Sequence, residues 1–316
     1  MKISIVTPAP ARSRKGNRVT AVRWARILRE LGHRARIHQA YSGEDCDALI
    51  ALHAKHSARS VQEFYDSQPN SPLILALTGT DLYRDIKTSA SARTSLQLAD
   101  RLVLLQPHGI ERLADEHQAK ARVIYQSVPC RHLKVKPLTR VFEIVVIGHL
   151  RSVKDPFRAA ISARQLPSSS RIQITHLGAA LDPAMKRRAV REMEINRRYR
   201  WIGEQPRWKT LQYLARSRAL VLSSKMEGGA NVISEAIVNS VPVLSSRISG
   251  SVGLLNEDYG GYFEVGDSVR LTELLTRVET DATFYGKLKA ACNRRRPLFD
   301  PVAERRTWKK LLGEFV

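Results

Sequence analysis

The stretch between residues 219 and 245 constrains the fold more than any other part of the chain. It begins with an apolar run, residues 219–222, which predicts a buried strand. Residues 230–238 have the pattern of a helix, and residues 241–245 predict a second strand. A strand, a loop, a helix and another strand in this order are typical of an α/β protein with a parallel sheet.

The same alternation of strand-like and helix-like segments continues along all 316 residues, a length that suits about two domains. A helix is predicted over residues 19–31 with Gly32 as its C-cap, and an amphipathic helix over residues 302–315. Residues 126–140, with Pro129 and Pro137, form a hinge-like stretch between the two series. The predicted strands are residues 3–6, 35–38, 48–52, 73–77, 102–105 and 122–125, then 142–147, 172–176, 200–201, 220–222 and 243–245.

Two glutamates, Glu227 and Glu235, stand eight positions apart, with Gly228 and Gly229 between the first of them and the predicted helix. Glycines at a helix start let a ligand approach the backbone closely, and the free amides there favour a phosphate. Carboxylates suit diols because their oxygens accept hydrogen bonds without having to donate. We therefore expect Glu227 to bind sugar hydroxyls and Glu235 to bind a ribose diol.

Taken alone, such a glutamate pair is more often a strand end and a solvated helix residue. The glycine pair and the flanking strands favour the binding interpretation, and the segment resembles the donor-site signature of retaining, family-4-like glycosyltransferases of the GT-B type. The resemblance implies an α/β fold of two Rossmann-like domains facing a cleft. Residues 1–137 would bind the acceptor and residues 138–299 the UDP-sugar, while the helix in residues 300–316 would return to the first domain.

A second segment, residues 147–156, follows the first strand of the second half and resembles the family-4 segment that holds the donor's pyrophosphate. The position after Gly148, usually arginine, is His149 here, and Arg151 lies two residues further on. Cations suit this place because the diphosphate leaving group gains negative charge as the glycosidic bond breaks. Since Arg151 and Lys154 can replace a bound metal, we expect neither metal nor cofactor. By the same resemblance, residues 201–205 would seat the base.

Three loops of the first half are predicted at strand ends or before a helix, where open α/β sheets and helix termini bind ligands. The first is a basic loop that contains Arg12, Arg14 and Lys15, and the others are residues 53–56 and 78–85. They supply cations and small polar groups, which suit a compact anionic acceptor. The acceptor-binding candidates are Gly16, Asn17, Arg18, Lys55, Thr78, Gly79 and Thr80.

The chain also resembles the selenosugar synthases of selenoneine biosynthesis, in residues 7–10 with 15–18, in residues 78–85, and in residues 148–151 with 154–156. The resemblance implies transfer of N-acetylglucosamine from UDP-GlcNAc to selenophosphate, which forms a carbon–selenium bond and releases UDP. Catalytic candidates are then Lys154, Arg151, Glu227 and Asp81, the last as a base that a selenolate hardly needs. Donor-binding candidates are Gly148, Gly228, Gly229, Ala230, Asn231, Val232 and Glu235.

Two other functions stay open: a family-4 enzyme with a carbohydrate or lipid acceptor, and a nucleic-acid-binding protein. The net charge of +22 suits nucleic acid, but the basic residues are spread over the chain without a nucleic-acid-binding motif. No stretch approaches the ~18 apolar residues of a membrane span, and the N-terminus lacks a signal-peptide pattern. The cysteines Cys46, Cys130 and Cys292 are widely spaced, which favours free thiols. We expect a cytoplasmic protein with small-molecule substrates.

Overall fold

The computed structural model describes residues 1–13, 16–129 and 135–315. The chain divides into two compact units. The first unit contains Met1–Ser127, Glu227–Gly229 and Leu298–Val316, and the second contains Val128–Met226 and Ala230–Pro297. The end of the chain and a short piece of the 219–245 segment therefore group with the first unit.

The first unit contains a six-stranded sheet in which every described pair of neighbours is parallel. The strands lie in the order β2-β1-β3-β4-β5-β6. Their apolar residues are buried on both faces, as parallel sheets require. The strands are β1 (Lys2–Val6), β2 (Arg34–His38), β3 (Ala48–Leu52), β4 (Leu73–Leu77), β5 (Arg101–Leu104) and β6 (Ala121–Val123).

The second unit contains another parallel six-stranded sheet, in the order β12-β11-β10-β7-β8-β9. Its central strand β7 pairs with β8 on one side and with β10 on the other. The chain thus runs outward from β7 to β9, returns to the other side of β7 as β10, and then runs outward again to β12. The strands are β7 (Phe142–Ile147), β8 (Ile172–Leu177), β9 (Tyr199–Trp201), β10 (Ala219–Leu222), β11 (Val243–Ser246) and β12 (Tyr262–Phe263).

Helices connect the strands, and each predicted strand has a counterpart within two residues of its predicted bounds. The short strand β12 was not predicted because two residues carry no readable alternation. The first helix begins at Gly16, earlier than the predicted residue 19. The α-helices are α1 (Gly16–Glu30), α2 (Ala58–Ser67), α3 (Ile86–Thr88), α4 (Ala90–Leu98), α5 (Asp115–Gln118), α6 (Arg158–Ala163), α7 (Pro183–Ile195), α8 (Arg207–Arg216), α9 (Asn231–Val238), α10 (Ser249–Leu255), α11 (Ser268–Thr280), α12 (Ala282–Arg295) and α13 (Pro301–Leu312).

The last helix, α13, supplies part of the core of the first unit. Trp308, Leu311 and Leu312 belong to the same buried cluster as the residues of β1 and α1. The rings of Trp308 and Trp24 meet edge to face with their centroids 4.9 Å apart. One turn earlier, the buried carboxylate of Glu304 accepts hydrogen bonds from Trp24 Nε1 at 2.9 Å and from the backbone N–H of Ser127 at 2.7 Å. Packing and hydrogen bonds therefore fix α13 in the first unit.

Truncating Trp308 should destabilise the first unit strongly. Trp308→Ala leaves a cavity against Trp24, and such losses cost about 3–5 kcal/mol of unfolding free energy. Trp308→Phe fills most of the space and removes a buried indole N–H that lacks a hydrogen-bond partner, so its cost should be smaller. Urea unfolding followed by circular dichroism measures both, with the exposed Lys309→Ala as the control. Equal midpoints for Trp308→Ala and the control would contradict this account of the core.

Candidate functional site

A pocket lies in the second unit at the ends of the two central strands, β7 and β10. The carboxyl ends of β7 and β10 are neighbours, and the connections that leave them go to opposite sides. Open α/β sheets bind ligands at this kind of switch point. The loops that follow the two strands line the pocket, with Gly148, His149, Lys154, Ser223 and Ser224 among the lining residues.

The loop after β7 is held in place by a fully buried histidine of β8. His176 Nε2 lies 3.0 Å from the carbonyl oxygen of Gly148 and donates to it. The other ring nitrogen, Nδ1, therefore accepts from the hydroxyl of Tyr199, 2.9 Å away. Burial, opposed by the bond to Gly148, lowers the pKa of His176 to about 4. The neutral imidazole thus fixes the position of a predicted donor-binding residue.

His149 has a structural role that the sequence does not indicate. Its Nδ1 accepts a hydrogen bond of 3.0 Å from the backbone N–H of Ala179, in the loop that follows β8. The same two loops approach closely at Gly178, where φ is +154° and an added Cβ would lie 1.9 Å from the Gly148 carbonyl oxygen. Only glycine fits at Gly178. The residue that stands in place of the family's arginine therefore joins two neighbouring loops.

The two predicted cations, Arg151 and Lys154, lie on the loop after β7. Lys154 is half-buried and lines the pocket, whereas Arg151 is exposed and is absent from the described lining residues. The hydroxyl of Ser223, after β10, donates to the carbonyl oxygens of Lys154 at 3.1 Å and Asp155 at 2.8 Å. The backbone of this loop is therefore fixed from the neighbouring strand, which favours Lys154 over Arg151 as the cation of the pocket.

Helix α9 carries the remaining predicted donor-binding residues of this unit. Ala230 precedes the helix, and Asn231 and Val232 form its first turn. Glu235 is 4% exposed. Its Oε1 forms an ion pair of 2.8 Å with Nη2 of Arg207, the first residue of α8. The sequence gives no signal for this pair because the partners lie far apart along the chain.

The other part of the predicted donor motif, Glu227–Gly229, groups with the first unit. A Cβ added at Gly228 would lie 2.5 Å from the carbonyl oxygen of Thr78, and one at Gly229 would lie 2.6 Å from Cβ of Leu105. Glycine is thus required at both positions because the protein's own chain approaches them. The donor-binding roles of Gly228 and Gly229 and the sugar-binding role of Glu227 stay predictions.

In the first unit, Asp81 shapes the predicted acceptor loop. The carboxylate is fully buried and accepts hydrogen bonds from the backbone N–H groups of Thr78, Gly79 and Ala54. Both oxygens are thus engaged in holding the loop after β4 against the loop after β3. These bonds give the carboxylate a structural role in the loop, and its role as a catalytic base stays a prediction.

A buried histidine that the prediction did not select supports the same loop. His53, after β3, has a φ of +79° and lies 3.1 Å through Nε2 from the hydroxyl of Thr80. Its Nε2 is also 3.8 Å from a carboxylate oxygen of Asp85, which is 1% exposed. Burial lowers the pKa of His53, and the charge of Asp81 opposes that shift. The hydroxyl of Thr80 therefore has a hydrogen-bonding partner in a buried side chain of the neighbouring loop.

The basic segment before residue 19 differs from its prediction. Gly16, Asn17 and Arg18 form the first turn of α1 and are not part of a loop, while Arg14 and Lys15 lie outside the described residues. Arg18 is half-buried, and its Nε is shielded from solvent without a hydrogen-bond partner. Lys55 is exposed. The acceptor-binding candidates therefore lie in three places. Gly16, Asn17 and Arg18 begin α1, Lys55 is at an exposed position, and Thr78, Gly79 and Thr80 lie in the loop after β4.

Other sequence expectations concern metals, membranes and thiols. Across residues 1–13, 16–129 and 135–315, no three or more His, Cys, Asp or Glu side chains are placed to hold a metal ion. No helix in this described part is long and apolar enough to cross a membrane. Cys46 and Cys292 are free and buried, and Cys130 lies outside the described residues.

Comparison with known proteins identifies the family of this chain. Residues 134–295 match the family described as Glycosyl transferases group 1. The chain is 26% identical to glycosyltransferase 1 domain-containing protein 1 of Xenopus tropicalis, over 92% of this chain and 93% of that protein.

Solved structures agree with the predicted fold. Alr3699/HepE of Anabaena, in complex with UDP, has a TM-score of 0.79 at 14% identity, with 99% of this chain and 100% of that chain covered. Sucrose-phosphate synthase of Thermosynechococcus elongatus has a TM-score of 0.80 at 15% identity, with 99% and 98% covered. The prediction of two Rossmann-like parallel-sheet units of the GT-B type is confirmed.

The buried imidazole of His176 should make stability depend on pH in acid. The unfolded chain protonates this histidine near its ordinary pKa of 6.5, and the folded chain only near 4. As pH falls from about 6.5 to 4, the unfolded state binds the extra proton, so the folded state loses up to about 3 kcal/mol. His176→Gln should flatten the plot of unfolding free energy against pH in this window, whatever its effect at pH 7. Parallel plots for the two proteins would show that His176 does not contribute.

Proposed function

The chain belongs to the glycosyl transferases of group 1, and from this premise we propose that it transfers N-acetylglucosamine from UDP-GlcNAc to selenophosphate. Selenium attacks the anomeric carbon, the bond from that carbon to the diphosphate oxygen breaks, and UDP leaves. The observation that carries the donor half is the pocket at the switch point of the second sheet, with Lys154 in its lining. The acceptor half rests on the N-terminal motifs and on their resemblance to selenosugar synthases.

The donor's diphosphate suits this pocket for electrostatic reasons. In the transition state the departing UDP gains negative charge, and a fixed cation stabilises that charge more than it stabilises the ground state. The half-buried Lys154 supplies such a cation on a backbone that Ser223 fixes. The amides at the start of α9 add donors for the phosphate or the sugar. Arg151, which is exposed, can add a second charge from outside the pocket.

The nucleoside would be recognised through Glu235, whose buried carboxylate has lone pairs to spare for a ribose diol. The relative Alr3699/HepE of Anabaena has been solved with UDP, which supports the choice of uridine diphosphate for this chain. The segment Trp201–Gln205 lies just before α8 and is proposed to seat the base. Donor recognition would then be concentrated in the second unit.

The acceptor is proposed to be small and anionic because the N-terminal candidates are cationic or small and polar. Lys55 is exposed, and Arg18 has a shielded nitrogen without a hydrogen-bond partner. The Thr78–Thr80 loop is held by Asp81 and His53, and because the amides of Thr78 and Gly79 already donate to Asp81, the loop would offer the acceptor its threonine hydroxyls. Selenophosphate fits this description, and its soft anionic selenium needs little help from a general base.

Replacing Glu235 should weaken UDP binding. A charge-assisted hydrogen bond contributes about 1.5–3 kcal/mol, so Glu235→Gln should raise the Kd for UDP roughly ten- to a hundred-fold. Isothermal titration calorimetry measures the change, and the exposed Glu264→Gln serves as the matched control in the same unit. An unchanged Kd in a folded Glu235→Gln protein would contradict the assignment of the ribose to this carboxylate.

The acceptor is tested by competition under one set of conditions. The protein is incubated with UDP-GlcNAc and with selenophosphate, thiophosphate, phosphate or a sugar or lipid alcohol, and the products are identified by mass spectrometry. We expect a selenium-containing N-acetylglucosamine product together with UDP. Lys55→Ala and Arg18→Ala should raise the acceptor KM or lower kcat/KM while leaving the Kd for UDP unchanged. Glycosylation of an alcohol but not of selenophosphate would replace the proposal with a carbohydrate or lipid acceptor.

A further inference from the structure

An arginine outside the predicted donor motif holds its second glutamate. Arg207 Nη2 lies 2.8 Å from Glu235 Oε1, and the two side chains differ sharply in exposure: 50% for arginine and 5% for glutamate. Arg207 is the first residue of α8, directly after the loop of residues 202–206, and Glu235 lies in the middle of α9. The ion pair therefore connects the loop that is proposed to seat the base with the carboxylate that is proposed to bind the ribose.

The pair is more than a surface salt bridge because one partner is buried. A buried carboxylate is costly unless it is paired and hydrogen-bonded, whereas a half-exposed guanidinium keeps most of its hydration. The ion pair thus restrains the orientation of the Glu235 carboxylate. A carboxylate that has already been oriented loses less conformational entropy when a ligand binds, which improves affinity.

The Glu235 carboxylate has more hydrogen-bond acceptor sites than the ion pair uses. The ion pair engages Oε1, and a carboxylate has about four lone-pair sites in all, so Oε2 has lone pairs for ribose hydroxyls. A guanidinium has five N–H donors, and at 50% exposure several of them remain open to solvent or to a ligand. A single arginine can therefore orient Glu235 and still leave it able to accept.

We propose that Arg207 is a positioning residue that makes the donor site selective for ribonucleotides, by holding Glu235 ready for the 2′-hydroxyl of the ribose. This inference rests on the proposed use of a UDP-sugar. It assigns a residue of α8 to recognition of the nucleoside, although the residue does not touch the reacting atoms. The opposite role is a latch, in which Arg207 occupies the place of the ribose and must leave before UDP binds.

The two roles predict opposite results in one experiment. Calorimetry gives the Kd of UDP and of 2′-deoxy-UDP for the unaltered protein, for Arg207→Gln and Arg207→Lys, and for the control Arg187→Gln on the exposed face of α7. We expect the unaltered protein and the control to prefer UDP by about tenfold or more, the value of one charge-assisted hydrogen bond. In Arg207→Gln the preference should fall to about twofold, mainly through weaker UDP binding. Arg207→Lys should recover part of it because it keeps the charge but not the planar fork.

The contrary outcomes separate the two proposals. Tighter binding of UDP by Arg207→Gln would establish the latch and overturn the positioning role. A preference that stays at its original value, or an equal loss for both nucleotides, would show that Arg207 acts on general stability or charge only. Thermal unfolding of each variant identifies a folding defect, and Arg207→Lys, which keeps a cation beside Glu235, then provides the comparison. If the unaltered protein binds neither nucleotide, the proposed donor fails and this inference fails with it.

Discussion

Both units depend on one constraint, which is that neighbouring strands run in the same direction. Parallel pairing brings all the strand ends of a sheet to one edge, so residues far apart in sequence become neighbours without any direct attraction between them. In the second unit the loops after β7 and β10 meet in this way at the switch point. In the first unit the loops after β3 and β4 meet through Asp81 and His53. The loops that carry Gly148, Lys154 and residues 78–80 owe their positions to this arrangement.

Buried polar side chains hold these neighbouring loops in place. His176 and Ser223 hold the backbone of the Gly148–Lys154 loop, and Asp81 does the same for Thr78 and Gly79. Each of these groups is buried and hydrogen-bonded, so a change of rotamer would leave a polar atom unsatisfied. The loops are thereby ordered without a ligand. Such preorganisation suits a site that must stabilise charge as it develops.

The sequence predicted the fold well because its signals are local. Runs of apolar residues such as 73–77 and 142–147 identify strands without knowledge of their partners. Contacts between distant residues carry no such signal, so the Arg207–Glu235 pair and the His176–Gly148 bond could not be found. The glycines at 228 and 229 indicate a close approach, but the sequence does not show that the protein's own chain is what approaches them. Asp81 was chosen for its chemistry, and only its burial reveals the structural role.

The hydrogen bond between Trp24 and Glu304 spans 280 residues of sequence. A ribosome delivers β1 and α1 early, but it delivers the residues of α13 that cover Trp24 only after the whole second sheet. Until then the indole N–H lacks its acceptor, and the apolar surface around it lacks the cover of Trp308 and Leu311. During synthesis all strands of both sheets are therefore made before the first sheet receives the cover of α13. A nonsense codon near residue 300 would keep every strand and yet leave the core around Trp24 exposed.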